Sequence, residues 1–380
     1  MHYFIFPDID TTLYQASSSM NAGLDEVLEV RKDLSQSNTN AKVSRILMKF
    51  DLSYISQSVS NGTIASDAKY YLNLFDARPS ELSVSQSLWA YPISQSWAEG
   101  EGFRSDRPAT TDGASWNYKD DAETKTQWNS AMTASGGTWH SDVYASQSLE
   151  WSSRDIRMDV TPIVNKWFDG TYPNEGFIIK RSGSMVPAAG GGSTRNTGSD
   201  EYNSTRLGNL SFFSRQTNTI YPPKLEVEWY DTKWNQGSLS SLGKSELEDL
   251  QVYVKNIRPE YKEESKAKFR VVGRGRYPVK SYSNTASEYL TAKVFPSGSK
   301  KVKDGAYYSI VDADTEDVIV NYGTGSLISC DSDGNYFNLW MNGLQAERYY
   351  KICFRVVSGS DTTEEMVSHY DNDFTFKVVR

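Results

Sequence analysis

The sequence predicts an all-β fold, and three observations lead to this prediction. Apolar residues alternate with polar ones over several short segments, which is the period-two pattern of a half-buried strand. Aromatic residues make up 13% of the chain, and they favour β-structure. Turns rich in Ser, Gly, Asn and Asp separate the apolar segments, as they do between the strands of antiparallel sheets.

The strands are predicted segment by segment from this pattern. The largely apolar run 45–52 is typical of a strand that is buried on both faces. Leu225, Val227 and Trp229 instead alternate with glutamates, as in a strand with one face in water. The other predicted strands lie at 69–75, 177–180, 268–272, 307–310, 350–356 and 374–379.

One helix is expected over residues 160–170. Thr161 is placed to cap it, and Pro162 occupies the first helical position, where its missing N–H is not needed. Ile163 and Trp167 are four residues apart and therefore share one face of the helix. A glycine follows the last turn, as is common where helices end.

The length and the composition predict two domains. The chain has 380 residues, more than twice a common domain size. Nine of the ten tryptophans lie before residue 235, and a stretch rich in Gly and Ser follows that point, as in a flexible linker. We therefore expect a domain at 1–232, a linker at 233–245 and a second domain at 246–380.

Charge and hydropathy exclude several classes of protein. A net charge of -8 argues against a general nucleic-acid binder, which carries a basic excess. No apolar run reaches the roughly 18 residues that a transmembrane helix needs, so we expect no membrane partner. The first residues lack the basic and apolar regions of a secretory signal.

The few histidines and cysteines argue against an enzyme. The three histidines, His2, His140 and His369, are far apart in the chain, whereas zinc sites and Ser-His-Asp or Cys-His machinery need convergent ligands or partners. Cys330 and Cys353 are the only cysteines, which excludes a disulfide scaffold. They are expected as free thiols, although two neighbouring strands could also bring them together. We assign no catalytic residue.

Six motifs in the first half follow one another in a recognisable order. They are a D-T-x-L opening at Asp10–Leu13, an N-x-G turn at Asn21–Gly23, an R-x-L-x-x-F-D-L strand at Arg45–Leu52, a W-x-E element at Trp97–Glu99, a D-V-T helix start at Asp159–Thr161 and an N-x-G-F strand at Asn174–Phe177. In this order they resemble the DNRLRE-type domain over roughly residues 8–230. The stretch from Trp97 to Trp151 is longer than the usual pattern. The resemblance implies a jelly-roll sandwich of the galactose-binding kind with a short helix.

The second half carries a motif of its own. Leu344, Ala346 and Tyr350 have the spacing L-x-P-x-x-x-Y of a tyrosine corner, with Ala in place of Pro. In such a corner the tyrosine hydroxyl bonds back to the main chain and fixes the connection between two sheets. This segment resembles fibronectin type III and related immunoglobulin-like domains, so the resemblance implies a second sandwich.

The two halves together resemble virion structural proteins of T4-like marine tailed phages. The segments that carry this likeness are 220–226, 307–312 and 344–352. The resemblance implies a non-enzymatic component of the neck, tail or baseplate, in a virion that assembles in the host cytoplasm. Its implied partners are other virion proteins and further copies of the chain in a symmetric assembly. The alternative is a carbohydrate-binding or host-adhesion protein with a host-surface glycan as its partner, and an enzyme is the third.

Four tryptophans are candidates for contact with a glycan or a neighbouring subunit. Trp89, Trp116, Trp128 and Trp139 lie in loop-like surroundings, where exposed indole rings offer large flat surfaces for stacking. The alternative for them is to anchor long loops by being buried. Such loops are expected at 99–135 and 182–205.

No cofactor is expected, with one hypothesis left open. Sandwiches of the galactose-binding kind often hold a structural calcium ion, to which Asp8, Asp10 or Asp51 could contribute. The segment Asp331–Asn335 resembles the start of a calcium loop. It lacks the glycine at position six and the acid at position twelve, so we predict a tight turn there.

Overall fold

The structure, a computed structural model of the chain, shows a mostly β fold. It describes residues 1–33, 42–78, 85–128, 136–150, 155–182, 185–187, 193–195, 200–201, 205, 207–255, 257–277, 293–300, 303–359, 365–372 and 374–380. Strands account for 43% of the fold and helices for 10%, in several antiparallel sheets, so the predicted all-β class is confirmed. Residues 129–135 of the first expected long loop, and much of the second, lie outside the described residues.

The strands are numbered in chain order. They are β1 (His2–Ile5), β2 (Ile9–Tyr14), β3 (Val27–Val30), β4 (Lys32–Asp33), β5 (Lys42–Lys49), β6 (Lys69–Leu74), β7 (Gln86–Pro92), β8 (Tyr118–Asp120), β9 (Thr126–Gln127), β10 (Ala145–Leu149), β11 (Ile156–Asp159), β12 (Phe177–Arg181), β13 (Met185–Pro187), β14 (Ser193–Arg195), β15 (Leu210–Phe213), β16 (Lys224–Glu228), β17 (Leu250–Lys255), β18 (Glu260–Lys262), β19 (Lys266–Gly275), β20 (Gly305–Asp312), β21 (Val318–Val320), β22 (Ser329–Asp331), β23 (Gly334–Trp340), β24 (Tyr349–Ser358), β25 (Met366–Tyr370) and β26 (Thr375–Val379). The α-helices are α1 (Ser53–Ser60), α2 (Thr161–Phe168) and α3 (Lys244–Glu248). Every strand predicted from the sequence is present.

The chain forms two compact units, each built from separate stretches. The amino-terminal unit comprises Ile5–Ser58 and Lys69–Glu226, and the carboxy-terminal unit comprises Met1–Phe4, Val59–Ala68 and Val227–Arg380. The segment 233–245, expected as a linker, belongs to the second unit, and its Leu242 is buried in the core of that unit. Main-chain hydrogen bonds from Asn235 to Cys330 and from Leu242 to Val294 also attach this stretch to the unit.

The main sheet of the amino-terminal unit has the antiparallel strand order β10-β7-β12-β5-β2, and β4 pairs with β5. A second sheet includes β6 and β11, which pair through Leu72 and Met158. Along β7 the side chains alternate: Leu88 and Ala90 are fully buried, and Trp89 between them is partly exposed. The main sheet therefore has one face in the core and one face that other segments cover.

Helix α2 begins one residue earlier than a Thr161 cap would place it, because Val160 is the residue at the cap position. Thr161 is its first residue, and the Thr161 hydroxyl accepts a hydrogen bond from the Tyr70 N–H of β6 instead of capping the helix. The Asp159 carboxylate accepts the Thr161 N–H at 3.0 Å. Ile163 and Trp167 are both buried, as their shared face predicts. No helix in the described part of the chain is both long and apolar enough to span a lipid bilayer.

The carboxy-terminal unit has two sheets that share one core. Their strand orders are β17-β19-β23-β22 and β18-β26-β24-β20-β21, with β25 on β24. Strand β18 pairs with β26 in parallel, whereas the other strand pairs of these two sheets are antiparallel in the described residues. Phe269 and Phe337 from the first sheet pack in the same apolar cluster as Tyr308 and Phe354 from the second.

The tyrosine-corner segment precedes and enters strand β24. The Tyr350 hydroxyl donates a hydrogen bond of 3.0 Å to the Gln345 carbonyl oxygen, five residues upstream. Leu344 is buried in the core, and Ala346 is half-buried at the proline position of the pattern. The hydrogen bond is the one that such a corner requires to hold the chain between two sheets.

The two cysteines are free thiols in this structure. Cys330 is buried and Cys353 is half-buried. Burial raises the pKa of each thiol to about 11, so both stay protonated and unreactive near neutral pH. The structure therefore contains two free thiols rather than two cysteines brought together by neighbouring strands.

Candidate functional site

Three of the four candidate tryptophans are buried. The exposed fraction is 6% for Trp116, 3% for Trp128 and 7% for Trp139. They form one apolar cluster with sheet residues such as Leu47 and Ile178. These indole rings anchor the segment between β7 and β10 on the main sheet, so in this conformation they are not available for stacking on a sugar.

A buried ionic cluster lies beneath two of these rings. Arg45 holds Glu201 with two hydrogen bonds, of 3.0 and 2.8 Å, and the Lys180 ammonium lies 3.8 Å from the same carboxylate. The Arg45 guanidinium is 4.9 Å from the centre of the Trp116 ring and 5.1 Å from that of Trp139. The side chains of all three charged residues are at most 1% exposed.

The pKa values of this cluster follow from burial and from charge pairing. Burial lowers the pKa of Lys180 to about 8, although Glu201 opposes the shift. Burial favours a raised pKa for Glu201, but Arg45 and Lys180 outweigh it, and its pKa lies below its usual value. Since no charged atom of the cluster faces solvent, the cluster fixes loops and has no surface on which to bind a ligand.

The fourth candidate, Trp89, belongs to a surface group that we call the aromatic patch: Trp89, Tyr91 and Tyr144. The ring centres of Trp89 and Tyr144 are 4.7 Å apart, and those of Trp89 and Tyr91 are 6.3 Å apart in stacked planes. Tyr144 is 48% exposed, and the other two are half-buried. The patch is thus a set of contiguous aromatic rings reached by solvent, of the kind that stacks on flat apolar surfaces.

Polar groups border the aromatic patch. Burial raises the pKa of Tyr91 to about 12, so its hydroxyl stays protonated at neutral pH and can donate a hydrogen bond. Ser87 and Ser148 share a hydrogen bond of 3.2 Å between β7 and β10. An aromatic surface with hydroxyl groups beside it is suited to a hydroxylated ligand.

Two of the three aspartates of the calcium hypothesis accept hydrogen bonds from different main-chain N–H groups, and the third, Asp8, lies beside Asp51. The Asp10 carboxylate accepts the Arg215 N–H at 2.7 Å, and the Asp51 carboxylate accepts the Ser53 N–H at 2.9 Å. Burial raises the pKa of Asp10 to about 7. In the described residues, no three or more His, Cys, Asp or Glu side chains are grouped so that they could hold a metal.

The segment Asp331–Asn335 forms a tight turn between β22 and β23, which confirms the prediction. Asp331 accepts hydrogen bonds from Lys268 at 2.9 Å and from Arg270 at 2.8 Å. These two cations hold the pKa of Asp331 well below its usual range, although burial opposes them. The Asp331 carboxylate therefore forms ion pairs with cations of strand β19 in the same sheet.

Sequence reasoning missed a basic cavity on the amino-terminal unit. The basic cavity has a volume of about 210 Å³, and the charged residues among its described walls are Arg31, Lys42, Arg104 and Arg107. Tyr14, Ser17 and Ser44 supply hydroxyl groups to the same walls. The four cations lie far apart in the sequence, so no local motif signals them.

A buried glutamate orients the cations of the basic cavity. Glu29 is 3% exposed, and its carboxylate accepts hydrogen bonds from the Arg104 guanidinium at 2.6 Å and from the Tyr14 hydroxyl at 2.9 Å. Arg31 lies 3.8 Å from the same carboxylate. Arg104 also lies over the Tyr14 ring, at 5.0 Å from its centre.

A buried asparagine fixes the loop that carries Arg104 and Arg107. The Asn21 side chain donates to the carbonyl oxygens of Glu99 at 2.6 Å and Ala114 at 2.8 Å, at the two ends of the loop. Its own side-chain oxygen accepts the Gly102 N–H at 2.9 Å. The N-x-G turn and the W-x-E element of the sequence thus meet at one point.

No protein-family model matches the chain, and no curated protein matches it.

Proposed function

We propose that the chain is a non-enzymatic structural component of a tailed-phage virion, at the neck, tail or baseplate. In this proposal the amino-terminal unit is a DNRLRE-like jelly-roll sandwich of the galactose-binding kind. The carboxy-terminal unit is a fibronectin type III or immunoglobulin-like sandwich. The chain acts through contacts with other virion proteins and with copies of itself in a symmetric assembly.

The observation that carries the proposal is the role of the residues on which the sequence resemblance depends. The Asn21 side chain donates a hydrogen bond to the Glu99 carbonyl oxygen across a loop, and Arg45 pairs with the buried Glu201. Trp97 donates its indole N–H to the Glu175 carbonyl oxygen at 3.0 Å. These residues fix loops on sheets and do not converge on a cleft, which supports a scaffold function over catalysis.

The test is immunogold electron microscopy of purified particles of a phage that encodes this chain, with an antibody against residues 245–380. We expect gold at one place on the particle and peptides of the chain at a fixed copy number by quantitative mass spectrometry. Particles that carry neither label nor peptides would overturn the proposal.

The aromatic patch supports a second candidate function, carbohydrate binding or host adhesion. Stacking of a sugar on Trp89 and Tyr144 uses the exposed ring surfaces, with neighbouring hydroxyl groups as hydrogen-bond partners. A virion component that touches the host surface can have both functions.

A glycan array with the full chain tests this candidate, and Tyr144→Ala and Trp89→Ala are the variants. Tyr349→Ala is the matched control, because Tyr349 is 52% exposed and lies in the other unit, whereas Tyr144 is 48% exposed. We expect a glycan signal that both patch variants lose and the control keeps. A signal that Tyr349→Ala loses equally, or no signal for any glycan, counts against carbohydrate binding.

A further inference from the structure

The basic cavity concentrates positive charge in a chain that is acidic overall. Its described walls carry Arg31, Lys42, Arg104 and Arg107, and the single buried carboxylate of Glu29 balances only part of this charge, whereas the net charge of the chain is -8. Cations gathered around one cavity repel one another. An arrangement of this kind is stabilised when an anion enters the cavity.

The cations keep hydrogen-bonding capacity for such an anion. Within the described residues, the Lys42 side chain makes neither a hydrogen bond nor an ion pair. The Arg104 side chain donates only through Nη1, to Glu29, and the Arg107 side chain only through Nη1, to the Asp106 carbonyl oxygen, among the bonds that the described residues show. The remaining guanidinium N–H groups match the planar donor pattern that carboxylate, sulfate and phosphate oxygens accept.

The cavity is formed before any ligand arrives. Asn21 clamps both ends of the loop that bears the two arginines, and Glu29 with Tyr14 fixes the Arg104 guanidinium. The Asp106 carboxylate accepts the Phe103 N–H at 2.9 Å within the same loop. Binding to Arg104, whose guanidinium is already oriented, loses less conformational entropy than binding to a free side chain.

The dimensions indicate what the cavity accommodates. Its volume of about 210 Å³ is below the roughly 300–1,000 Å³ of pockets that enclose drug-sized ligands. A neighbouring cavity of about 460 Å³ shares the walls Tyr14, Arg104 and Arg107 and adds Asp25 and Glu26, among others. A charged group fits the first cavity, and an uncharged polar remainder fits the second.

We propose that the basic cavity binds the sulfate, phosphate or carboxylate group of a small ligand, with Lys42, Arg104 and Arg107 as its contacts. This inference is independent of the virion proposal, since it depends only on the geometry of the amino-terminal unit. Arg31 and the hydroxyl groups of Ser17 and Ser44 complete the wall around the anion.

The test is isothermal titration calorimetry on the full chain with sodium sulfate, sodium phosphate and sodium acetate, at an ionic strength held constant with chloride. We expect saturable binding of at least one of these anions. Lys42→Gln and Arg107→Gln each remove a charged donor that the frame of the cavity does not need, so each should weaken binding about tenfold or more. Lys42→Arg should retain the binding.

The matched control is Lys69→Gln, which removes an exposed lysine of the same unit that lines neither cavity. The affinity of this variant for the anion should equal that of the unchanged chain. The proposal is overturned by the absence of saturable binding, or by an equal loss of affinity in Lys69→Gln. Urea unfolding of each variant establishes that the folded state is retained.

A second arm distinguishes the source of the anion. If glucuronate binds more tightly than acetate, the ligand is an acidic saccharide whose ring occupies the neighbouring cavity. If glucuronate and acetate bind equally, the ligand is a free anion. Glucose serves as the uncharged probe, and tighter binding of glucose than of glucuronate would contradict an anion site.

Discussion

Gly176 sits in a conformation and a space that exclude a side chain. Its φ is +91°, in the region that favours glycine. A Cβ atom at this position would lie 2.3 Å from the Met48 carbonyl oxygen of the neighbouring strand β5. The glycine of the N-x-G-F motif is therefore required by the backbone geometry, which explains the motif in physical terms.

Gly176→Ala should destabilise the amino-terminal unit far more than Gly170→Ala. Gly170 also has a positive φ, of +74°, but nothing lies within 4 Å of a Cβ built there. The control variant thus meets only the backbone strain of about 1–2 kcal/mol, while Gly176→Ala must also shift a strand. Urea denaturation measures both free energies of unfolding, and equal losses would contradict the role of the Met48 contact.

Asp10 makes stability depend on pH. Burial raises its pKa from 3.8 to about 7, opposed by the hydrogen bond from Arg215 and assisted by the charge of Glu99. Between these two pH values the folded chain holds a proton that the unfolded chain has lost. The contribution of Asp10 to stability is therefore full below pH 4 and is lost as the pH rises to 7, on the order of 4 kcal/mol at most.

Asp10→Asn should flatten this part of the pH profile, because the amide does not ionise and its oxygen can still accept the Arg215 N–H. The measurement is the free energy of unfolding at several pH values between 4 and 7. Asp51→Asn is the control. The Asp51 carboxylate is exposed, and hydrogen bonds from Ser53 lower its pKa. The contribution of Asp51 to stability is therefore lost as the pH falls, which is the opposite direction to Asp10. Profiles of the same slope for Asp10→Asn and the unchanged chain would refute the prediction.

At the scale of elements, the strands could be predicted from the sequence, whereas the segments that cover the main sheet could not. Apolar alternation is a local property, so β16 could be recognised from Leu225 and Val227 alone. The burial of Trp116 and Trp128 depends on contacts with strands distant in the sequence, such as Leu47 of β5. Loop-like sequence around a tryptophan does not reveal which surface the loop lies on.

The basic cavity was unpredictable for the same reason. Arg31 follows β3, Lys42 begins β5, and Arg104 and Arg107 lie in a loop after β7. Only the fold brings them together, since each looks like an ordinary surface cation in its own segment. In contrast, the tyrosine-corner motif lies within seven residues, so the sequence alone sufficed to propose the contact of Tyr350.

Tyr350→Phe should destabilise the carboxy-terminal unit by about 1–2 kcal/mol, because it removes the hydroxyl that satisfies the Gln345 carbonyl oxygen. Tyr349→Phe is the matched neighbour, with a ring that is 52% exposed, and should change stability little. If urea unfolding shows the same decrease in the free energy of unfolding for both variants, the corner hydrogen bond contributes nothing to stability.

At the scale of the whole molecule, the two units do not correspond to two consecutive stretches of the sequence. Composition changes near residue 235, which led to the expected linker at 233–245. The structure places Met1–Phe4 and Val59–Ala68 with the carboxy-terminal unit. Met1–Phe4 are too few residues to change the composition, so the sequence does not reveal that they belong to a unit built mainly from residues more than 200 positions later.

Phe4→Ala should therefore destabilise the carboxy-terminal unit, by about 3–5 kcal/mol for a buried phenylalanine. Phe4 is 4% exposed in the core of that unit, and its carbonyl oxygen accepts a hydrogen bond from Asn342. Phe6→Ala is the control, since Phe6 is 38% exposed. The readout is the rate at which Cys330, buried in the same unit, is alkylated. An unchanged rate in Phe4→Ala would contradict the assignment.

The discontinuous carboxy-terminal unit has a consequence for synthesis on the ribosome. Met1–Phe4 are synthesised more than 200 residues before most of the core that buries Phe4, which lies beyond Val227. At about 5–20 residues per second, this segment waits for tens of seconds before its partners exist. During that interval an apolar strand with unpaired main-chain groups is accessible to chaperones and to other nascent chains.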